Sequence, residues 1–340
     1  MDSEVAPTVG KRSSPKPSPV FDTYWRFAAE RQRVFFLRME RALPPWSPDP
    51  VLRKFKFTNA YRASDRVSQF LIREVIYEGE QTPEEVFFRT ILFKLFNKID
   101  TWKLLARELG TISYRDYSFD RFDAVLSAAI NRGERIYSGA YIMPSGRNSF
   151  AAVRKHQSHL KLLERMMSDR VPQRVGSARS MSEAFGILHA YPMIGDFLAY
   201  QFVIDLNYSS LTDFSEMEFV VPGPGARDGI RKCFVDLGGL SESDIVRFVM
   251  ERQESGFERL GLQFDSLWGR PLQLIDCQNL FCEVDKYARA AHPDAMGISG
   301  RTRLKQRFRP SAEALAYWYP PKWGLNEKIT IHSRRVGVAR

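Results

Sequence analysis

The segment 181–206 reads MSEAFGILHAYPMIGDFLAYQFVIDL. Apolar residues recur at three- and four-residue spacing on both sides of Pro192 and Gly195, which predicts two helices, 181–190 and 196–206, joined by a tight turn. Glycine permits such a turn and leaves backbone N–H groups open to a phosphate, at which the second helix directs its positive end. A helical hairpin of this kind is typical of DNA-binding proteins, although it is also an ordinary connection between helices.

A second turn of this type follows at 219–232, FVVPGPGARDGIRK, before a predicted helix at 226–236. Its glycines permit the same approach of a phosphate, and its cations favour DNA. The residues that we predict to bind DNA are Arg66, Ile194, Gly195, Gly223, Gly225, Arg227, Arg231 and Lys232.

Helical periodicity extends over most of the remaining chain, beginning at Phe21. Thr82-Pro83-Glu84-Glu85 has the pattern of a capping box, with proline at the first helical position. Strand signals are few, and the best of them is 218–221. We therefore predict a mainly α fold with a helical domain at 21–300, a disordered tail at 1–20 and a basic extension at 301–340.

The charge of the chain is concentrated at its two ends. Lys and Arg number 50 against 40 Asp and Glu; residues 1–66 carry net +6 and residues 301–340 net +8, which leaves −4 for the rest. Basic ends around a mildly acidic body indicate a polyanionic partner such as DNA, the alternative being charged ends that only aid solubility. No apolar run reaches the ~20 residues of a membrane span, and no signal peptide is evident. We expect a cytoplasmic protein without membrane contact.

Several common kinds of chemistry find no support in the sequence. There is no GxxxxGK[ST] motif and no GxSxG motif. Three cysteines cannot supply a four-cysteine cluster, and His156 and His159, without a nearby cysteine, are expected at the surface. We therefore expect neither a metal ion nor a cofactor.

Two polar clusters interrupt otherwise apolar segments and suggest a pocket. The second of them, in 272–289, places carboxylates, an amide and an ammonium along one face of a predicted helix, although a solvated helix face would look similar. The first cluster includes Asn59, Tyr61, Arg62 and Asp65, and the second includes Asp276, Asn279, Glu283, Asp285 and Lys286.

Five segments between about residues 50 and 290 together resemble the α-glutamyl/putrescinyl thymine pyrophosphorylase-like family. They are KFTNAYRASDRVSQFLI, ILFKLFNKIDTW, PMIGDFLAYQFVIDLNY, FVVPGPGARDGI and LIDCQNLFCEVDKYAR. The family is grouped with helix-hairpin-helix DNA glycosylases and is linked to phage DNA hypermodification, so the resemblance implies a helix-hairpin-helix DNA-glycosylase-like fold. It also implies double-stranded DNA with modified bases as the partner of what we expect to be a monomer. Some bacterial members resemble anti-phage glycosylases that act on glucosylated 5-hydroxymethylcytosine.

The resemblance implies a monofunctional DNA N-glycosylase, a hydrolase that excises a modified pyrimidine in antiviral defence. Cleavage would need a carboxylate beneath the sugar, for which Asp276 is the first candidate, with Asn279 orienting water. The next candidates are Asp236, Asp285 and Glu283. The first cluster, Asn59 to Asp65, would read the flipped base. Two alternatives remain open: an amino acid or polyamine transferase acting on an activated 5-hydroxymethylpyrimidine, in which Lys286 would help to bind pyrophosphate, and a non-catalytic reader of modified DNA.

Overall fold

The computed structural model describes residues 13–139, 143–309 and 316–329. Helices dominate these residues, which confirms the mainly α prediction. In chain order they are α1 (Pro19–Met39), α2 (Pro50–Lys54), α3 (Arg66–Phe70), α4 (Pro83–Phe96), α5 (Ile99–Leu109), α6 (Phe119–Asn131), α7 (Arg147–Phe150), α8 (Lys155–Ser168), α9 (Val171–Gly176), α10 (Met181–His189), α11 (Asp196–Leu206), α12 (Pro224–Cys233), α13 (Glu242–Glu251), α14 (Gln253–Glu258) and α15 (Leu274–Ala291). No described helix has the length and apolar character to cross a membrane.

Two short strands pair antiparallel, β1 (Lys16–Pro17) and β2 (Phe234–Asp236). The strand predicted at 218–221 does not form in the described structure. Helix α1 begins two residues before the predicted helical start at Phe21: the Ser18 hydroxyl accepts a hydrogen bond from the Val20 N–H at 3.1 Å, and Pro19 takes the first helical position. Of the predicted tail, residues 1–12 lie outside the described residues.

The chain divides into two compact units, and the predicted helical domain at 21–300 extends over both of them. Within the described residues, unit 1 contains 13–60 and 222–309, and unit 2 contains 61–139, 143–221 and 316–329. The predicted extension at 301–340 is therefore shared between the units, and its residues 310–315 and 330–340 lie outside the described structure.

Unit 1 is organised around α15, against which α1, α12 and α13 pack. The approach of α12 is so close that a Cβ atom at Gly229 would lie 2.0 Å from the Phe281 carbonyl oxygen. On another side, the Tyr24 ring of α1 lies 4.7 Å from the Phe281 ring, and Trp25 lies 5.0 Å from Phe257. Aromatic packing and one glycine contact thus fix α15 in the core of this unit.

Unit 2 is built around α4, which is buried along almost its whole length and contacts α8, α9 and α11. The chain before α4 is not one continuous helix: a 3₁₀ turn at Arg62–Ser64 is followed by α3 and a π-helical segment, Leu71–Ile76. Arg89 of α4 donates to the carbonyls of Val75 at 2.9 Å and Ile76 at 3.1 Å. These bonds satisfy carbonyl groups that the end of a helix leaves without partners.

Candidate functional site

Arg62 lies in a buried polar cluster of unit 2, with 4% of its surface exposed. Its Nε donates to Gln201 Oε1 at 3.0 Å and one terminal nitrogen donates to the Tyr208 hydroxyl at 2.9 Å. The other terminal nitrogen lies 2.8 Å from Asp205 Oδ1. All three partners come from α11 or the residues just after it, so the guanidinium fixes the 3₁₀ turn on α11.

Lys94 of α4 joins the same cluster. Its Nζ lies 3.0 Å from Asp205 Oδ2 and donates to Asn97 Oδ1 at 2.9 Å. Burial lowers the pKa of Lys94 to about 8, although the Asp205 carboxylate opposes that shift and Arg62 adds to it. The Asp205 carboxylate therefore pairs with two cations, Arg62 and Lys94, from two different segments of unit 2.

Arg62 is among the site residues predicted from the sequence, whereas Lys94, Gln201, Asp205 and Tyr208 are not. A signal for two of them was present, because Lys94 stands within ILFKLF and Asp205 within FVIDL, both apolar on either side. A charged residue in a helix that is hydrophobic all round is buried and needs a partner. The identity of that partner cannot be read from either segment alone.

The other residues predicted to read a base are distributed over both units. Tyr61 is buried and Asp65 precedes α3 in unit 2. Asn59 belongs to unit 1, where its Oδ1 accepts a hydrogen bond from Arg31 at 2.9 Å. Because Arg62 has protein partners on all sides of its guanidinium, the structure supports a positioning role for it rather than direct contact with a base.

A second polar cluster in unit 1 joins α15 to residues 58–59. The Thr58 N–H donates to Glu283 Oε2 at 3.1 Å, and Asn279 Nδ2 donates to Thr58 Oγ1 and to the Asn59 carbonyl, both at 3.2 Å. Lys286 forms an ion pair with Glu283. The structure thus brings Asn279, Glu283 and Lys286 together on one side of α15, as predicted.

Asp276 and Asp285 have separate environments. Asp276 Oδ2 accepts a hydrogen bond from the Gln273 N–H at 3.0 Å and completes a capping box at the start of α15. Asp285 is buried between Lys232, at 3.0 Å, and Arg289. Each of these carboxylates has a structural role that accounts for its presence.

The predicted DNA-binding residues of 219–232 also have protein partners. Exposed Arg227 and Arg231 both pair with Glu242, at 2.7 and 3.5 Å. Gly223 caps α12, and a Cβ atom at Gly225 would lie 2.4 Å from Cys282 Sγ. Helix packing therefore explains the glycine at 225 without DNA, and a role in DNA binding stays a prediction.

The first predicted turn does form a helical hairpin in unit 2, since α10 and α11 pack against each other. Gly195 caps α11 and is exposed, with open space where a Cβ atom would stand. Ile194, the residue before it, is buried, and Arg66 is exposed at the start of α3. The backbone at Gly195 is thus accessible to a ligand.

The prediction that His156 and His159 lie at the surface is wrong, because both are fully buried. His156 Nε2 lies 2.6 Å from Asp123 Oδ1, while the two ring nitrogens of His159 bond the Tyr137 hydroxyl at 2.8 Å and the Pro144 carbonyl at 2.9 Å. In the part of the chain that the structure describes, no group of three or more His, Cys, Asp or Glu side chains is arranged to hold a metal ion.

Comparison with known proteins gives the chain its class. A family described as "5-hmdU DNA kinase, helical domain" matches residues 18–297, and the chain belongs to that family. The chain is also similar to the 5-hmdU DNA kinase of Bacillus phage SP10, with 27% identity over 286 residues. That similarity covers 79% of this chain and 45% of the phage protein, so the chain spans about half the length of its relative. No solved structure matches.

These comparisons correct the predicted reaction. The sequence resemblance to proteins that process modified thymine is supported, the predicted glycosylase reaction is wrong, and the helix-hairpin-helix superfamily stays a prediction. A kinase transfers a phosphoryl group, so the comparisons also contradict the hydrolase, the amine transferase and the reader that were considered. Hairpins and basic segments indicate contact with DNA, but they carry no information about which bond is made or broken.

Proposed function

We propose that this chain takes part in phosphorylating the hydroxymethyl group of 5-hydroxymethyl-2′-deoxyuridine in DNA. The observation that carries the proposal is the family match over residues 18–297, together with the named activity of the phage relative. In such a reaction the hydroxyl oxygen forms a bond to the terminal phosphorus of a nucleoside triphosphate. The hydroxyl proton is lost, and the nucleoside diphosphate leaves.

Within this reaction, the part that we assign to this chain is holding the modified DNA as the substrate of phosphoryl transfer. The sequence contains no GxxxxGK[ST] motif, the loop with which P-loop kinases hold the donor phosphates. The α10–α11 hairpin, with Gly195 exposed at the start of α11, supports contact with a DNA phosphate. The monomeric state and the cytoplasmic location remain predictions.

The buried cluster of unit 2 has a positioning role in this proposal. Arg62 and Asp205 connect α11 to the segment that leads into α3, and Lys94 adds α4 to the same network. A site that selects one modified base needs side chains held within a fraction of an ångström, which a buried network of charges provides. Asp65, which is half-buried just before α3, remains the proposed base contact, whereas Tyr61 is buried and is therefore assigned a positioning role like that of Arg62.

The proposal is tested with two duplexes of identical sequence, one containing thymidine and the other 5-hydroxymethyl-2′-deoxyuridine at a single position. We expect tighter binding of the modified duplex, measured by fluorescence anisotropy. In a second assay each duplex is incubated with the chain and ATP, digested to nucleosides and analysed by mass spectrometry for a phosphorylated hydroxymethyl group. Equal affinity for the two duplexes would overturn the proposal, whereas a phosphorylated nucleoside in the second assay would show that the chain holds the phosphoryl donor as well as the DNA.

A further inference from the structure

Residues 301–309 read RTRLKQRFR, in which every odd-numbered position is a cation. Alternation with a period of two sends side chains to opposite faces of an extended segment. The burial agrees with this pattern, because all five cations are exposed while Leu304 and Phe308, at even positions, are half-buried. The segment begins beyond residue 297, where the family match ends.

Unit 1 holds this segment in place through its backbone. The Lys56 N–H donates to the Gln306 carbonyl at 3.0 Å, and the Phe308 N–H donates to the Lys54 carbonyl at 3.1 Å. Phe55 and Arg307 face each other across this antiparallel bridge. The side chain of Phe308 adds an apolar anchor, since its ring lies 6.2 Å from the ring of Trp46.

Pairing places a second set of cations beside the first. Arg53, Lys54 and Lys56 are exposed next to the alternating segment. We call residues 53–56 and 301–309 together the basic strip; it contains eight Lys or Arg and no Asp or Glu. Among the described residues, a carboxylate pairs with one of these eight side chains, Arg301, which lies 2.8 Å from Asp228.

We propose that the basic strip binds the phosphate backbone of double-stranded DNA without regard to the base. Alternate residues of an extended segment advance by about 6.6 Å, which is close to the ~6.8 Å that two successive phosphates of one DNA strand advance along the helix axis at ~3.4 Å each. The apolar side chains of the segment pack toward unit 1, so the exposed face offers charge rather than groups for insertion into a lipid layer. The choice of DNA as the polyanion rests on the proposed function.

The test neutralises three cations that are not engaged with Asp228 or Phe55. The strip variant carries Arg303→Gln, Lys305→Gln and Arg309→Gln, which keep long polar side chains and leave the two backbone hydrogen bonds intact. A control variant carries Lys103→Gln, Arg107→Gln and Arg121→Gln, three exposed cations of α5 and α6 in unit 2. It has the same net charge, and thermal unfolding establishes that both variants are folded.

Affinity of the full chain is measured for the thymidine and the 5-hydroxymethyl-2′-deoxyuridine duplexes between 50 and 250 mM salt. The slope of log K against log salt is negative, and in the strip variant its magnitude should decrease by about 2.7, or ~0.9 for each lost phosphate contact. The decrease should be the same for both duplexes. The control variant should keep the slope of the natural chain. An unchanged slope in the strip variant would overturn the inference.

Two further outcomes separate this inference from the proposed function. If the natural chain shows no preference for the modified duplex but the strip variant has a weaker salt dependence of binding, the strip binds DNA and the proposed function fails. If the preference is present and the slope is unchanged, the proposed function stands and the strip has another role. Binding to anionic phospholipid vesicles is measured as well, for the natural chain and the strip variant. If the strip variant loses vesicle binding but keeps its DNA binding, DNA is not the ligand of the basic strip.

Discussion

The carboxylate of Asp205 on α11 lies 3.0 Å from the ammonium group of Lys94 on α4, and both side chains are at least 97% buried. Taking two charges out of water is costly, and their attraction offsets that cost only when the geometry is good. Here the same carboxylate also binds Arg62, at 2.8 Å. The stability of unit 2 should therefore depend more on the shared anion than on either cation.

Replacing Asp205 by Asn should lower the free energy of unfolding by about 3–5 kcal/mol, because two buried cations then lose their common carboxylate. Lys94→Met is the matched comparison and should cost less, since Arg62 still pairs with Asp205. Urea unfolding of the two variants measures both costs. A larger loss for Lys94→Met than for Asp205→Asn would contradict this view of the cluster.

Gly229→Ala should destabilise the protein by about 1–3 kcal/mol, because the added Cβ atom meets the Phe281 carbonyl at 2.0 Å and α12 must move away from α15. Gly186→Ala is the control. Gly186 lies within α10, with open space around the added atom, so the substitution should instead stabilise by about 0.5–1 kcal/mol. Thermal unfolding of both variants should give shifts of opposite sign; shifts of the same sign would refute the packing argument.

Stability should fall as the pH is lowered from 6.5 toward 4, in part through His159. Burial lowers the pKa of His159 to about 4, so in this range the unfolded chain binds a proton that the folded protein does not. The contribution of His159 is complete above pH 6.5 and decreases by up to about 1.4 kcal/mol per pH unit below it. His159→Gln should unfold with a shallower pH dependence in urea titrations, and an unchanged dependence would exclude this histidine as a cause.

Asp276→Ala should cost about 1 kcal/mol of stability, since Asp276 Oδ2 accepts the Gln273 N–H at the start of α15. Asp294→Ala, an exposed position after the end of α15, provides the control and should change stability by less than about 0.5 kcal/mol. Chemical denaturation measures both. Equal effects of the two substitutions would show that the capping bond contributes nothing.

The sequence correctly predicted features that depend on residues within one or two helical turns of each other, such as helix caps and tight turns. Thr82 accepts a hydrogen bond from the Glu85 N–H with Pro83 at the first helical position of α4, as the capping pattern predicted. The second bond of that capping box is replaced, because Glu85 accepts from the N–H groups of Tyr114 and Arg115. The hairpin of α10 and α11 also followed from periodicity and a Pro/Gly turn.

For the candidate site, the sequence singled out Arg62 but not its partners, and it gave no sign that Gly225 lies against Cys282. It likewise placed two buried histidines at the surface. Capping, turns and periodicity depend on atoms a few residues apart, so the order of residues alone determines them. The pairing of Lys94 with Asp205 and the contact of Gly229 with Phe281 join residues that are far apart in the chain, and they exist only because the helices pack in one particular way.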